Sequence, residues 1–180
     1  APALALGISF GGMGTWLATA EPVLEGIYAL GPWLPAAFAA TSLVYGAMNF
    51  VNAALVRRFG PAGLAARGMA LAAVSGTAGA VVFATWFDGV PPLWLHLAWG
   101  SLPICAFALL YGNLSAVALE PMGDRAGAAS SVVAATGTLM GALTAGLSGL
   151  MFDGTVVPLY AAFGASGLLG LAAFSLRGRG

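Results

Sequence analysis

The sequence predicts an all-α integral membrane protein of six transmembrane helices, and three observations carry that prediction. Hydrophobic residues make up 60% of the 180 and charged residues 7%. Soluble domains carry about 25% charged residues, so this chain cannot cover a water-facing surface. Six apolar stretches each approach the roughly 20 residues needed to cross about 30 Å of hydrocarbon. The breaks between them carry Gly, Pro, Asp and Glu in turn-forming pairs. Backbone groups in lipid must be satisfied internally, which selects helices. Short segments of alternating polarity, as a membrane barrel needs, are absent from the sequence.

The spans follow in order as one six-helix bundle. Leu4–Ala20 opens with Gly7 and Gly11, carries Thr15, Trp16 and Thr19, and stops at Glu21-Pro22. Leu34–Val56 follows Gly31-Pro32 and bears Thr41, Tyr45, Asn49 and Asn52 along one helical stripe. Gly60-Pro61 separates it from Met69–Phe87, where Gly68, Ala72, Gly76, Ala80 and Ala84 recur every fourth residue. Asp88-Gly89 and Pro91-Pro92 lead into Leu93–Leu119, in which Trp99, Asn113 and Glu120 share a face. The loop Glu120–Arg125 then turns into Ala128–Phe152, with Gly137, Gly141, Ala145 and Gly149 spaced four apart and Ser130, Thr144 and Ser148 nearby. Asp153-Gly154 precedes the last span, Val156–Leu176.

Lipid gives helices no hydrophobic reason to associate, so small residues must let backbones approach. Gly137, Gly141, Ala145 and Gly149 are therefore the expected packing face of the fifth span. Polar side chains concentrate on the first, second, fourth and fifth spans. Those four are expected to line something wet, with the third and sixth as outer supports. Two lining helices followed by one outer helix, twice over, makes a repeat of three.

Lysine is absent, and the arginines fall in three places: Arg57, Arg58 and Arg67; Arg125; Arg177 and Arg179. With an even number of spans all three lie on one side of the membrane. The opposite loops hold Glu21, Glu25, Asp88 and Asp153 and no arginine. Basic residues in short loops mark the cytoplasmic face, so both termini of this segment are expected there. The chain begins at Ala1 without a methionine or a signal-peptide pattern, and further sequence upstream is expected.

The residues YGNLSAVALEPMGDRAGAASSV (Tyr111–Val132) and GLMFDGTVVPL (Gly149–Leu159) resemble the C-terminal half of the Bcr/CflA-type drug-efflux family, within the major facilitator superfamily. More weakly, NAALVRRFGPAGLAARG (Asn52–Gly68) is similar to the second copy of the superfamily's cytoplasmic loop motif, with Arg58-Phe59-Gly60 as its Arg-x-Gly core. Arg57 stands where the fuller motif has a carboxylate, and Glu21 precedes Pro22 where the pattern has a small residue. The resemblance implies half of a major-facilitator fold, the seventh to twelfth helices of twelve. It also implies a bacterial inner-membrane transporter, proton-coupled, exporting small lipophilic or drug-like molecules. Its expected partners are the lipid bilayer, a missing N-terminal six-helix half, the small-molecule substrate and protons.

Several residues are candidates on this reading. Asn49 and Asn113 either face the cavity, bonding substrate or each other as a gate, or make plain interhelical hydrogen bonds; Asn52 is read as structural. Trp16, Tyr45 and Trp99 either wall a cavity for a flat ligand, or belong to an interfacial aromatic belt or the packed core. Glu21 is a proton or cation site, or else a solvated helix-end charge. Arg57, Arg58, Gly60, Glu120, Asp124 and Arg125 form the cytoplasmic loop and gate region, with Glu120 anchored by an arginine. His96 is an interfacial or hydrogen-bonded histidine, with a proton relay as the sharper reading.

No ionisable residue falls mid-span, where it would cost at least about 3 kcal/mol and mark function. A coupling carboxylate is thus expected in the other half. There is no phosphate-binding Gly-x4-Gly-Lys loop, no nucleophile triad and no metal-ligand spacing. No enzyme activity, cofactor or nucleic-acid partner is expected. The competing reading is a stand-alone six-helix membrane protein with a structural or interaction role and no transport.

Overall fold

The computed structural model describes residues 2–176, and Arg177 and Arg179 of the predicted basic tail lie outside them. Among the described residues the regular structure is all helical: α1 (Pro2–Glu21), α2 (Leu34–Trp86), α3 (Leu93–Leu119), α4 (Ala126–Met151) and α5 (Val157–Ser175), joined by short helical turns. Five helices, counted with their flanking turns, are long and apolar enough to cross a membrane.

The predicted second and third spans form one 53-residue helical stretch, broken at Gly60, whose φ of 67° and ψ of 162° leave the helical region. Glycine is nearly alone in adopting that conformation, because it lacks the Cβ that clashes there. Pro61 follows and donates no backbone N–H, so it suits the start of a new helical run. A straight helix would hold Tyr45 and Gly68 about 35 Å apart at 1.5 Å per residue. Instead the Tyr45 ring lies against Phe107 of α3, and Gly68 lies against Ala106 and Leu110 of the same helix. The two arms of α2 therefore both pack on the middle of α3.

Helix α1 runs past its expected stop. Pro22 starts a π-helical turn, Pro22–Ile27, and the break comes only at Tyr28–Leu30. Pro22 has no N–H to continue the α-helical ladder, yet Glu21 keeps helical dihedrals and the wider π-helical turn carries the run past the proline. Between α4 and α5, the Asp153 carboxylate accepts the Thr155 backbone N–H at 3.0 Å and its hydroxyl at 2.7 Å. Thr155 Oγ1 in turn accepts the Val157 N–H at 3.2 Å, capping the start of α5.

The loops at one end are tied together. The Tyr28 hydroxyl donates to the Pro91 carbonyl at 2.7 Å, and the Val156 N–H donates to the Gly89 carbonyl at 2.9 Å. Beneath them Val23, Phe83, Val156 and Tyr160 form one buried cluster. This end carries Glu21, Glu25, Asp88 and Asp153. The arginines Arg57, Arg58, Arg67 and Arg125 sit at the opposite helix ends. There the Arg67 guanidinium lies 4.0 Å over the Phe59 ring. A second cluster, including Leu6, Met69, Phe107, Leu110 and Phe174, fills the bundle between α1, α2, α3 and α5.

The closest approaches are glycine-mediated. Gly76 of α2 abuts the Gly164 backbone nitrogen of α5, and Gly167 of α5 abuts the Ala73 nitrogen of α2, closer than any Cβ would permit. The stretches expected as outer supports thus share the closest backbone approach. On α4, Gly141 presents its carbonyl 2.5 Å from where a Cβ on Gly14 would lie, and a Cβ on Gly141 would sit 2.7 Å from Phe10. The predicted stripe then divides: Gly137 lies within 4 Å of Phe10, whereas Gly149 faces open space.

Candidate functional site

A cavity of about 290 Å³ opens between α1, the first arm of α2, α3 and α5, lined by Trp16, Thr41, His96, Ser101, Tyr160 and Phe163 among others. His96 and Tyr160 occupy the first turns of α3 and α5, so the tied loops set their positions. Both are buried. The Tyr160 hydroxyl lies 3.2 Å from His96 Nδ1 and donates to the His96 carbonyl at 3.0 Å. The Tyr28 ring stacks on His96 with centroids 5.5 Å apart. Tyr28 sits outside the spans, and burial pushes its hydroxyl up to about 12.

A larger cavity of about 410 Å³ lies between α1, α3 and α4, lined by Phe10, Tyr111, Ser115, Ser130, Ser131 and Thr138 among others. Of its lining rings, Tyr111 stacks on Phe107 at 5.3 Å and Phe10 meets Phe107 edge-on at 5.8 Å. Polar contacts across α1 and α4 close the neighbouring seam. Thr15 and Ser148 hydroxyls meet at 2.8 Å, and the Thr144 hydroxyl reaches the Gly11 carbonyl at 3.1 Å.

The expected residues distribute over these features unevenly. Asn113 is buried, and its Nδ2 donates to Asn52 Oδ1 at 2.7 Å and to the Leu109 carbonyl at 2.6 Å. The cross-helix partner of Asn113 is therefore Asn52, not Asn49. Asn49 donates to the Tyr45 carbonyl of its own helix at 2.8 Å. The three aromatics do not share one wall. Trp16 lines the smaller cavity edge-on to Phe38, and Tyr45 leans on Phe107. Trp99 donates its indole N–H to the Ser75 carbonyl at 3.0 Å and meets Phe83 edge-on.

Glu21, Glu120 and Arg125 are exposed. Among the described residues no ion pair joins Glu120 to Arg57, Arg58, Arg67 or Arg125. Asp124 lies within the turn Glu120–Arg125, which reverses at Gly123 with φ of 46°. No group of three or more His, Cys, Asp or Glu among the described residues comes together as a metal site. Sequence reasoning missed Tyr160 and Ser101 as cavity residues. One signal was present: the single histidine and a tyrosine each lie within four residues of a helix start that follows a turn. Compared with known protein families, characterised proteins and solved structures, the chain matches none.

Proposed function

We propose that this chain is a six-crossing half of a secondary transporter, moving small lipophilic compounds out of a bacterial cell in exchange for protons by alternating access. The two arms of α2 would cross separately, since a straight 53-residue helix would span about 80 Å against roughly 30 Å of hydrocarbon. Six crossings then divide into α1 with both arms of α2, and α3 with α4 and α5. On this reading the arginine-bearing end is cytoplasmic, by the positive-inside rule.

The observation that carries the proposal is the uncovered face of α4. Within its apolar window 11% of residues are buried, against 44–56% in the other helices. That exposed helix still carries Ser130, Ser131 and Thr138, and the 410 Å³ cavity opens beside it. A helix with an uncovered face of this kind suits a second half seated against it, with substrate held between the halves. The first arm of α2 is similarly uncovered, with Ser42, Leu43 and Phe50 exposed.

The test is transport by the intact protein in proteoliposomes under an imposed pH gradient. A lipophilic dye should move against its gradient only when the proton gradient is present. Asn113→Leu, which removes an interhelical bond worth about 0.6–2 kcal/mol, should slow that flux while the protein still inserts. Absence of gradient-driven flux for every compound tried would favour a structural or interaction role instead.

A further inference from the structure

The polar groups around the 290 Å³ cavity are matched to one kind of ligand. The Thr41 hydroxyl spends its proton on the Ala37 carbonyl at 3.0 Å, and the Ser101 hydroxyl on the Ala98 carbonyl at 2.6 Å. Both line the cavity and keep lone pairs to offer. Tyr160 has a single proton, and the His96 carbonyl, which can only accept, takes it at 3.0 Å. The second contact of that hydroxyl, 3.2 Å to His96 Nδ1, then requires the proton to be on Nδ1. A neutral imidazole has one N–H, so Nε2 is left as a bare acceptor. Nε2 has no hydrogen-bond partner among the described residues, and it is not sealed away as Ser9 Oγ is. Among the described residues that line the space, the Trp16 indole N–H is the one donor without a partner, and none is a carboxylate or an arginine.

We infer that this cavity binds a compact, uncharged, largely apolar molecule carrying an N–H or O–H group, which donates to His96 Nε2 while its flat body lies among Trp16 and Phe163. A fixed charge would be buried with no counter-charge, which disfavours ions. The volume sits at the low end of the roughly 300–1,000 Å³ typical of ligand pockets, so the molecule is small. Tyr160 is a positioning residue: it sets which imidazole nitrogen carries the proton. The inference rests on the transporter reading only for placing the cavity on a transport path. Binding is measured without transport, so the two fail separately.

The experiment is calorimetric titration of the full chain in lipid nanodiscs at neutral pH with three bicyclic probes. Indole offers an N–H donor, benzofuran has the same shape without it, and quinoline offers only an acceptor. Indole should bind at least about tenfold more tightly than either of the others, because they leave Nε2 unpaired. His96→Phe should bring indole down to the level of benzofuran. If that variant does not fold, Tyr160→Phe keeps the ring and removes the hydroxyl that fixes the tautomer. Quinoline should then gain on indole by about fivefold or more, since Nε2 is free to carry the proton. Equal binding of the three probes, tighter binding of quinoline to the wild type through Trp16, or no binding at all would each overturn the assignment. An unchanged indole-to-quinoline ratio in Tyr160→Phe would do the same.

Discussion

Helices α4 and α5 have similar compositions and opposite fates. Both are apolar, both are studded with glycine, and both follow a polar turn. Yet α5 is 44% buried over its apolar window and α4 only 11%. The difference lies in what each helix meets. Gly164, Gly167 and Gly170 of α5 face Thr77, Ala73 and Met69 on the second arm of α2, where Gly76 returns the close approach. Small residues stand on both sides at matching heights, so the backbones come nearly into contact. On α4 the stripe meets small residues of α1 only around Gly141; Phe10 fills the notch there, and Gly149 meets nothing. A small-residue stripe becomes a packing surface only where the facing helix supplies its complement.

The largest effect should come from breaking the α2–α5 seam. Gly76→Ala would place a Cβ on the Gly164 backbone, which cannot yield as a side-chain tip can. A loss of about 3 kcal/mol or more is expected, read as earlier unfolding in dodecyl sulfate titrations followed by circular dichroism. If the variant unfolds with the wild type, the seam is looser than described. Gly141→Leu should cost less, about 1–3 kcal/mol, since the Phe10 ring tip can move part of the way. Gly149→Leu should stay within about 0.5 kcal/mol, because nothing lies in its path. A reversed order of these two would mean that α4 packs through its far end.

The smallest effect concerns the tied loops at the base of the seam. Burial raises the Tyr28 hydroxyl from 10.0 to about 12. Its neutral form is favoured in the fold, so the unfolded chain loses this proton first as pH rises. Any stability from Tyr28 is therefore complete below pH 10.0 and declines between 10.0 and about 12. The tyrosinate absorbance of wild type minus Tyr28→Phe should show a step near the upper value. A step at the ordinary value would place Tyr28 in water and remove its bond to Pro91.

Much of the architecture was legible along the chain. Long apolar runs, the turn pairs Gly60-Pro61, Asp88-Gly89 and Asp153-Gly154, and the grouping of arginines against acids are local signals, and helices in lipid obey them because backbone groups have no other partners. Glu21-Pro22 misled, since a π-helical turn takes up the bond that the proline cannot make. Which asparagine pairs with Asn113, which aromatics face each other, and which helices lie outermost were not legible. Helical periodicity assigns residues to a face but leaves that face's neighbour open. Asn49 and Asn52 lie within one turn of each other, and only the bend at Gly60 and the height of α3 selected Asn52.

Helical, apolar and charge-segregated character can be read from the residues alone, because hydropathy, turn chemistry and charge placement act residue by residue. The close approach of α2 to α5, the uncovered face of α4 and the cavity shared by His96 and Tyr160 arise only when the helices pack. Those outcomes depend on the matching of two surfaces far apart in sequence, and no single stretch of chain holds both.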